Sequence, residues 1–270
     1  MSSLPDYARP PIVEVAIGAQ FAGLDELRAA HVGLFWATIR DDYGRIEEQP
    51  PVVHIVEGPS DQQLAGGPEL RISTTPDLPR TWFLDSTGNR IIQVQRDRFL
   101  HNWRKMTDSD EYPRFPGVKK SFMKHWDGFC RFLENNGLPV PQVDQYELTY
   151  VNHIRRGNGW QSVEDLCHLF TSVAWGPRSA FLPPPENILW SAKFRLPEGN
   201  GRLHVDVVPV RIPPHGDLAV SLSLTARGMP PEGTDAGAMS GWFDIAREWI
   251  VRGFADLVAE KTDALWGRKA

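Results

Sequence analysis

RTWFLDSTGNRIIQVQRDRFLHNWRK, residues 80 to 105, is the stretch whose reading decides the fold. Two β-rich runs meet at Ser86-Thr87-Gly88-Asn89. Gly and Asn at such an apex supply the positive φ that tight turns need. The second run continues from Arg90 to about Arg104, which predicts one long strand. By period two, Gln93, Gln95, Asp97, Phe99, His101 and Trp103 share one face. Ile92, Val94, Arg96, Arg98, Leu100, Asn102 and Arg104 share the other. Neither face is cleanly apolar. A strand whose faces change character along its length predicts a bulge, or an extension past the core.

Working outward, Ile12–Phe21 alternates Val13, Val15, Ile17, Ala19 and Phe21 with Glu14 and Gln20, the pattern of a strand with one buried face. Gly23-Leu24-Asp25-Glu26 opens a helix with acidic residues at the positive end of its dipole. Leu24, Leu27, His31, Leu34, Phe35 and Ile39 line one face of that helix, and Tyr43-Gly44 ends it. Short strands are expected at 52–57 and 69–74, separated by glycines and prolines. Tyr112 to Asn136 reads as a long helix on Phe115, Phe122, Trp126, Phe129, Phe132 and Leu133, stopped by Asn136-Gly137 and Pro139. A strand returns at 145–155, and Ser162-Val163-Glu164-Asp165 begins a helix. Strands follow at 188–196, 201–210 and 217–227, the first two joined by the hairpin signal Glu198-Gly199-Asn200-Gly201. A final helix is expected from Ser240 to Leu265.

The order of elements repeats. VEVAIGAQF (13–21) lies over YELTYVNHI (146–154), GLDEL (23–27) over SVEDL (162–166), and DGFCRFL (127–133) over RGFADLV (252–258). The expected fold is therefore α+β. Residues 1–11 form a flexible lead, 12–138 a first β-α-β4-α repeat and 139–270 a second β-α-β3-α repeat, in one compact unit. Together the repeats would make a long curved antiparallel sheet backed by helices, a topology similar to TATA-binding-protein-like or helix-grip folds.

Composition bounds the function. The chain has 270 residues and a net charge of −5, which argues against a globally basic, phosphate-tracking protein. Its two cysteines, Cys130 and Cys167, form no CxxC pair, so they read as free thiols of a reducing, cytoplasmic compartment. MSSLPDYARPP has neither the basic start nor the apolar run of a signal peptide. No apolar stretch reaches the ~20 residues of a membrane helix, so no membrane partner is expected. GxSxG, a P-loop and a Rossmann glycine pattern after a strand are all missing, and histidines such as His204 and His168 have too few convergent acidic or thiol neighbours to predict a metal or other cofactor.

Several runs resemble an uncharacterised, sporadically distributed bacterial protein family of about this length. They are PPIVEV (10–15), VGLFW from Val32, RTWFL (80–84), RIIQVQRDRFLHNWRK (90–105), YPRF (112–115), ELTYVN (147–152), and FDIAREWIVRGF with the closing WGR (266–268). The resemblance covers nearly the whole chain, and QVQRDRFLHNWRK and ELTYVN are its most specific parts. It implies an intracellular bacterial protein and brings no catalytic residue with it. A sporadic distribution would suit a bacterial defence or toxin-antitoxin context.

Two site candidates remain. One is a basic-aromatic surface on the long strand, made of Gln93, Gln95, Arg96, Arg98, His101, Asn102, Trp103 and Arg104. Arginine forks and an indole plate there could hold another protein or a nucleic-acid backbone. The competing reading is structural, with the arginines paired to Asp85, Asp97 and glutamates while the aromatics pack. The other candidate is Glu14 with Glu147, on the repeat-related first strands, with Asn152 nearby in sequence. These carboxylates would form an ion-pair network with the arginines, or a proton-sharing dyad. The leading expectation is thus a non-enzymatic binding or interaction protein. The alternatives are a small-ligand-binding helix-grip protein, and an enzyme acting on a phosphate-containing substrate through the Glu/Arg cluster. The oligomeric state stays open, a homodimer included.

Overall fold

The computed structural model of the chain describes residues 3–57, 78–173, 181–183, 185–229 and 235–269. Its strands are β1 (Ile12–Phe21), β2 (Arg45–Gln49), β3 (Arg80–Leu84), β4 (Arg90–Gln95), β5 (Arg98–Arg104), β6 (Val143–Arg155), β7 (Trp190–Arg195), β8 (Arg202–Ile212) and β9 (Asp217–Gly228). Its longer helices are α1 (Ala29–Ile39), α2 (Arg114–Asn135) and α3 (Ala236–Leu257). The fold is α+β, with a nine-stranded antiparallel sheet in the order β2-β3-β4-β5-β1-β6-β9-β8-β7. No helix among the described residues is long and apolar enough to cross a membrane.

The expected strand from Arg90 to Arg104 is two strands. Gln95 faces Arg98 across the ladder, so Arg96-Asp97 is a two-residue turn. It was not foreseen because it contains none of the Gly or Asn that mark tight hairpins. The turn also removes the puzzle of the mixed faces. Ile92 and Val94 stand opposite His101 and Phe99, while Gln93 and Gln95 stand opposite Leu100 and Arg98. One face of the hairpin carries Ile92, Val94, Phe99 and Trp103 with His101, and the other carries Gln93, Gln95, Arg98 and Asn102 with Ile91 and Leu100.

Other boundaries move for local reasons. α1 begins at Ala29, because Asp25-Glu26 is a turn closed by Leu27 N–H on Leu24 O. β2 lies where no strand was expected, and 52–57, expected to be one, belongs to no strand. The expected strand at 69–74 lies outside the described residues. The helix expected from Ser162 is a short 3-10 turn, Val163–His168, although Ser162 and Asp165 do form its capping box. The last helix stops at Leu257 and is followed by the turns Glu260–Thr262 and Asp263–Trp266.

The chain divides into two compact units. One comprises Met1–Val15, Leu148–Ala226 and Ser240–Ala270; the other comprises Ala16–Glu147 and Arg227–Met239. In the first, Val205, Val207, Leu222, Leu224, Trp242, Phe243 and Ile250 are buried. The N-terminal lead is tied down there from Asp6 to Arg9. Tyr7 is buried with its ring 5.5 Å from Phe254 and 6.3 Å from Trp266, and Ala8 N–H bonds Gly267 O. Lys269 pairs with Asp6 at 2.6 Å.

The second unit holds the candidate site. α2 and α1 cover its apolar sheet face through a cluster of rings. Phe99 stacks on Phe129 at 5.0 Å and meets Phe35 and Trp126 edge-on. Fully burying each such ring contributes about 2–3 kcal/mol. α2 ends in a reciprocal cap: Gly137, at φ 70°, donates to Glu134 O, and Leu138 donates to Leu133 O.

Candidate functional site

The polar face of the second unit's sheet, opposite the helices, is where the sequence-predicted polar residues collect. Alternation puts Gln93 and Gln95 of β4, Arg98 and Asn102 of β5, Gln20 of β1, and Gln145 and Glu147 of β6 on this face. All seven are at least nine-tenths buried. Burying amides and charges costs free energy unless each finds a partner. The partners define what the face does.

Around Gln93 the partners are side chains. Its Oε1 accepts from Trp82 Nε1 at 2.9 Å and from Arg80 Nη1 at 3.3 Å, and its Nε2 donates to Asn102 Oδ1 at 2.7 Å. Two guanidinium groups lie over the Trp82 indole, with Arg80 5.3 Å and Arg104 5.6 Å from its centroid. Arg104 also donates to Gly88 O.

Across β5, β1 and β6 lies an ion cluster. Glu147 Oε2 accepts from Arg227 Nε at 2.6 Å and from Gln20 Nε2 at 3.2 Å. Arg98 is 5% exposed; its burial lowers the guanidinium pKa, against the opposing charges of Glu147 and Asp97. Arg98 Nε and Gln20 Oε1 are buried without a hydrogen-bond partner.

The remaining partners belong to the chain itself. Residues Val52–Glu57 run over this face as an extended strap. Gln95 accepts from Val52 N–H and donates to Val52 O, both at 2.8 Å. Gln145 accepts from Glu57 N–H at 2.7 Å and donates to Ile55 O at 2.8 Å. Arg98 Nη2 donates to Val53 O at 3.3 Å. His54 sits between two carboxylates, with Nδ1 3.3 Å from Asp97 and Nε2 3.6 Å from Asp144. A primary amide presents one acceptor and two donors, the same pair of functions as a peptide group, so two glutamines can substitute for a neighbouring strand.

The other predicted residues fall elsewhere. His101 and Trp103 face the helices. His101 is fully buried and stacks on His125 of α2 at 5.7 Å, and Trp103 lies 5.2 Å from Tyr112. Burial, with help from the His125 and Arg90 charges, pushes His101 down to about 3. Arg96 is in the hairpin turn, and its carbonyl accepts from Leu24 N–H. Asn152 is on the helix-facing side of β6 and donates to Leu222 O at 3.1 Å. Glu14 belongs to the first unit and Glu147 to the second. The expected basic-aromatic plate therefore separates: Arg98 and Asn102 join the glutamines, whereas His101 and Trp103 join the core.

Gln20, Gln145, Arg227, His54 and the strap complete the face; Gln20 carried a signal as the polar alternate in an apolar strand, and the strap as extended chain. Cys130 and Cys167 are free thiols, and burial pushes Cys130 up to about 12, far from a reactive thiolate. No group of three His, Cys, Asp or Glu among the described residues could hold a metal ion. The first unit has an open, polar groove of about 430 Å3 lined by Arg155, Arg156, Gly157, Gln161, Asp217 and Leu218.

No family model and no curated protein matches the chain. Among solved structures it is similar to DynU16, a protein in the dynemicin biosynthetic locus. The two share 12% identity over 91% of this chain and 98% of that one, with a TM-score of 0.25. A likeness at that score carries no argument about fold or function.

Proposed function

We propose that the chain is a non-enzymatic binding protein whose working surface is the polar sheet face built on Gln93, Gln95, Arg98, Asn102, Gln145 and Glu147. The observation that carries this reading is how these residues spend their hydrogen bonds. Gln95, Gln145 and Arg98 hold an extended piece of main chain. Glu147, the one carboxylate among the seven buried residues, has Oε2 occupied by a guanidinium and an amide. That is the chemistry of recognition and support, not of a reaction centre.

The order of the strands supports an origin by internal duplication. β1 has β5 as its neighbour and β6 has β9, so in each half the first strand adjoins the last. On this reading the first half diverged to carry the polar face. A bacterial defence or toxin-antitoxin setting would suit a protein that holds another chain.

Panning random-peptide and single-stranded nucleic-acid libraries over the purified protein tests the reading. The expected result is a bound class whose hydrogen-exchange footprint covers residues 93–104 and 143–147. Binders that protect other segments only, or none from either library, would overturn it.

A further inference from the structure

Val52–Glu57 lies across the strands, not along them. Gln95 and Gln145 stand on β4 and β6, which are separated by β5 and β1. Three inter-strand steps span about 14 Å, and the five peptide steps from residue 52 to 57 reach about 17 Å when extended. An extended segment of this length bridges that gap and no more. Crossing the sheet, it cannot enter the ladder, so its peptide groups need side chains as partners.

Five contacts supply them, and all five go to main-chain N–H or C=O groups of the strap. Side-chain identity at residues 52, 53, 55 and 57 is not read by these bonds. Val53 and Ile55 turn outward, 74% and 45% exposed. Pro50 and Pro51 precede the strap and favour an extended entry. What the face recognises is therefore an extended backbone, the feature shared by all peptides bound through main-chain hydrogen bonds. Beneath it, Arg98 Nε and Gln20 Oε1 are buried without partners, so the face holds polar capacity that the strap does not use.

We propose that Gln95, Arg98 and Gln145 form a clamp for the backbone of an extended peptide, and that Val52–Glu57 is its internal occupant. The proposal rests on the binding-protein reading above and names the ligand class. A tethered occupant competes at high effective concentration, so the wild-type chain binds an external peptide weakly, in proportion to the fraction of time the strap is off.

The test uses a synthetic peptide of residues 50–57 added in trans to the full chain. The double variant Val52→Pro/Glu57→Pro deletes the two strap N–H donors and leaves every clamp side chain in place. Its affinity for the peptide, read by calorimetry or fluorescence anisotropy, is expected to exceed that of wild type by about tenfold or more. Adding Gln95→Leu and Gln145→Leu is expected to abolish the gain. His54→Ala loosens the strap from Asp97 and Asp144 while every clamp and sheet side chain is kept. It gives an intermediate gain, and it serves where the proline variant fails to fold. Equal peptide affinity in wild type and loosened variants, or a gain that survives loss of both glutamines, would overturn the clamp. A nucleic-acid ligand with the footprint described above would sink this inference and leave the broader one standing.

Discussion

The side-chain amide of Gln95 grips both ends of one residue: it accepts from Val52 N–H and donates to Val52 O, each at 2.8 Å. The same amide also donates to Asp97 Oδ1 at 2.8 Å. Leucine has similar bulk and none of these functions. Gln95→Leu is predicted to release the start of the strap, at about 1 kcal/mol net per hydrogen bond lost. Amide exchange across 52–57 should quicken while the α2 amides stay protected. Unchanged exchange in the strap would show that something other than Gln95 holds it.

Glu147 pairs with Arg227 at 2.6 Å, and with Asp97 it supplies negative charge near the buried Arg98. Replacing it with Leu leaves Arg227 without its paired carboxylate and Arg98 with Asp97 alone as opposing charge. Breaking such a buried pair costs about 3–5 kcal/mol, and the low end applies because Arg227 keeps some exposure. The prediction concerns coupling as much as size. Glu147→Leu/Arg227→Met should be less destabilised than the sum of its single variants in urea unfolding. Strict additivity would mean that the pair contributes nothing as a pair.

These residues also show what could be read in advance. The alternation in Ile12–Phe21 predicted β1 to the residue, because its apolar residues recur at every second position, although Gly18 and Gln20 on the other face are buried too. The helix rich in Phe and Trp was legible for the same reason. Arg96-Asp97 was not, since Asp97 alone is a weak turn signal without the Gly or Asn that marks a two-residue hairpin. Missing it placed Gln93 beside His101 and Trp103, on a face they do not share. The strap was legible as extended chain, yet whether extended chain joins a ladder depends on what it lies over. Gln145 and Arg227 meet the site only through tertiary pairing, which no local pattern records.

Gly18 of β1 marks a close approach that only glycine allows. A Cβ there would stand 2.3 Å from Leu100 Cδ2 and 2.5 Å from the Phe99 carbonyl oxygen. The leucine can turn aside, but the carbonyl belongs to the sheet. Gly18→Ala is predicted to destabilise by roughly 1–3 kcal/mol, the usual cost of overpacking. Combining it with Leu100→Ala should recover part of the loss, since only the side-chain clash is relieved. A Gly18→Ala chain as stable as wild type to urea would refute the packing at this crossing.

Acid should weaken the second unit through His101. Its ring is buried against His125, its Nδ1 has no hydrogen-bond partner, and burial holds its pKa near 3, well below the ordinary 6.5. Arg90 lowers it further and Asp85 opposes. Above pH 6.5 neither the folded nor the unfolded histidine carries the proton, and the full stability is present. As the pH falls from 6.5 toward 3, the unfolded chain takes up a proton that the native ring refuses. Stability then drops by about 1.4 kcal/mol per pH unit for this group, on the order of 4 kcal/mol across the window. His125, in the same unit, is also held below its ordinary value by burial and steepens the same decline. His101→Phe isolates the first contribution, because the ring is kept and the proton site removed. Urea midpoints at pH 7.5, 6.0 and 5.0 should fall less steeply in that variant, by about one proton's worth of slope. Parallel profiles in the two proteins would show that His101 is not the group that takes up the proton.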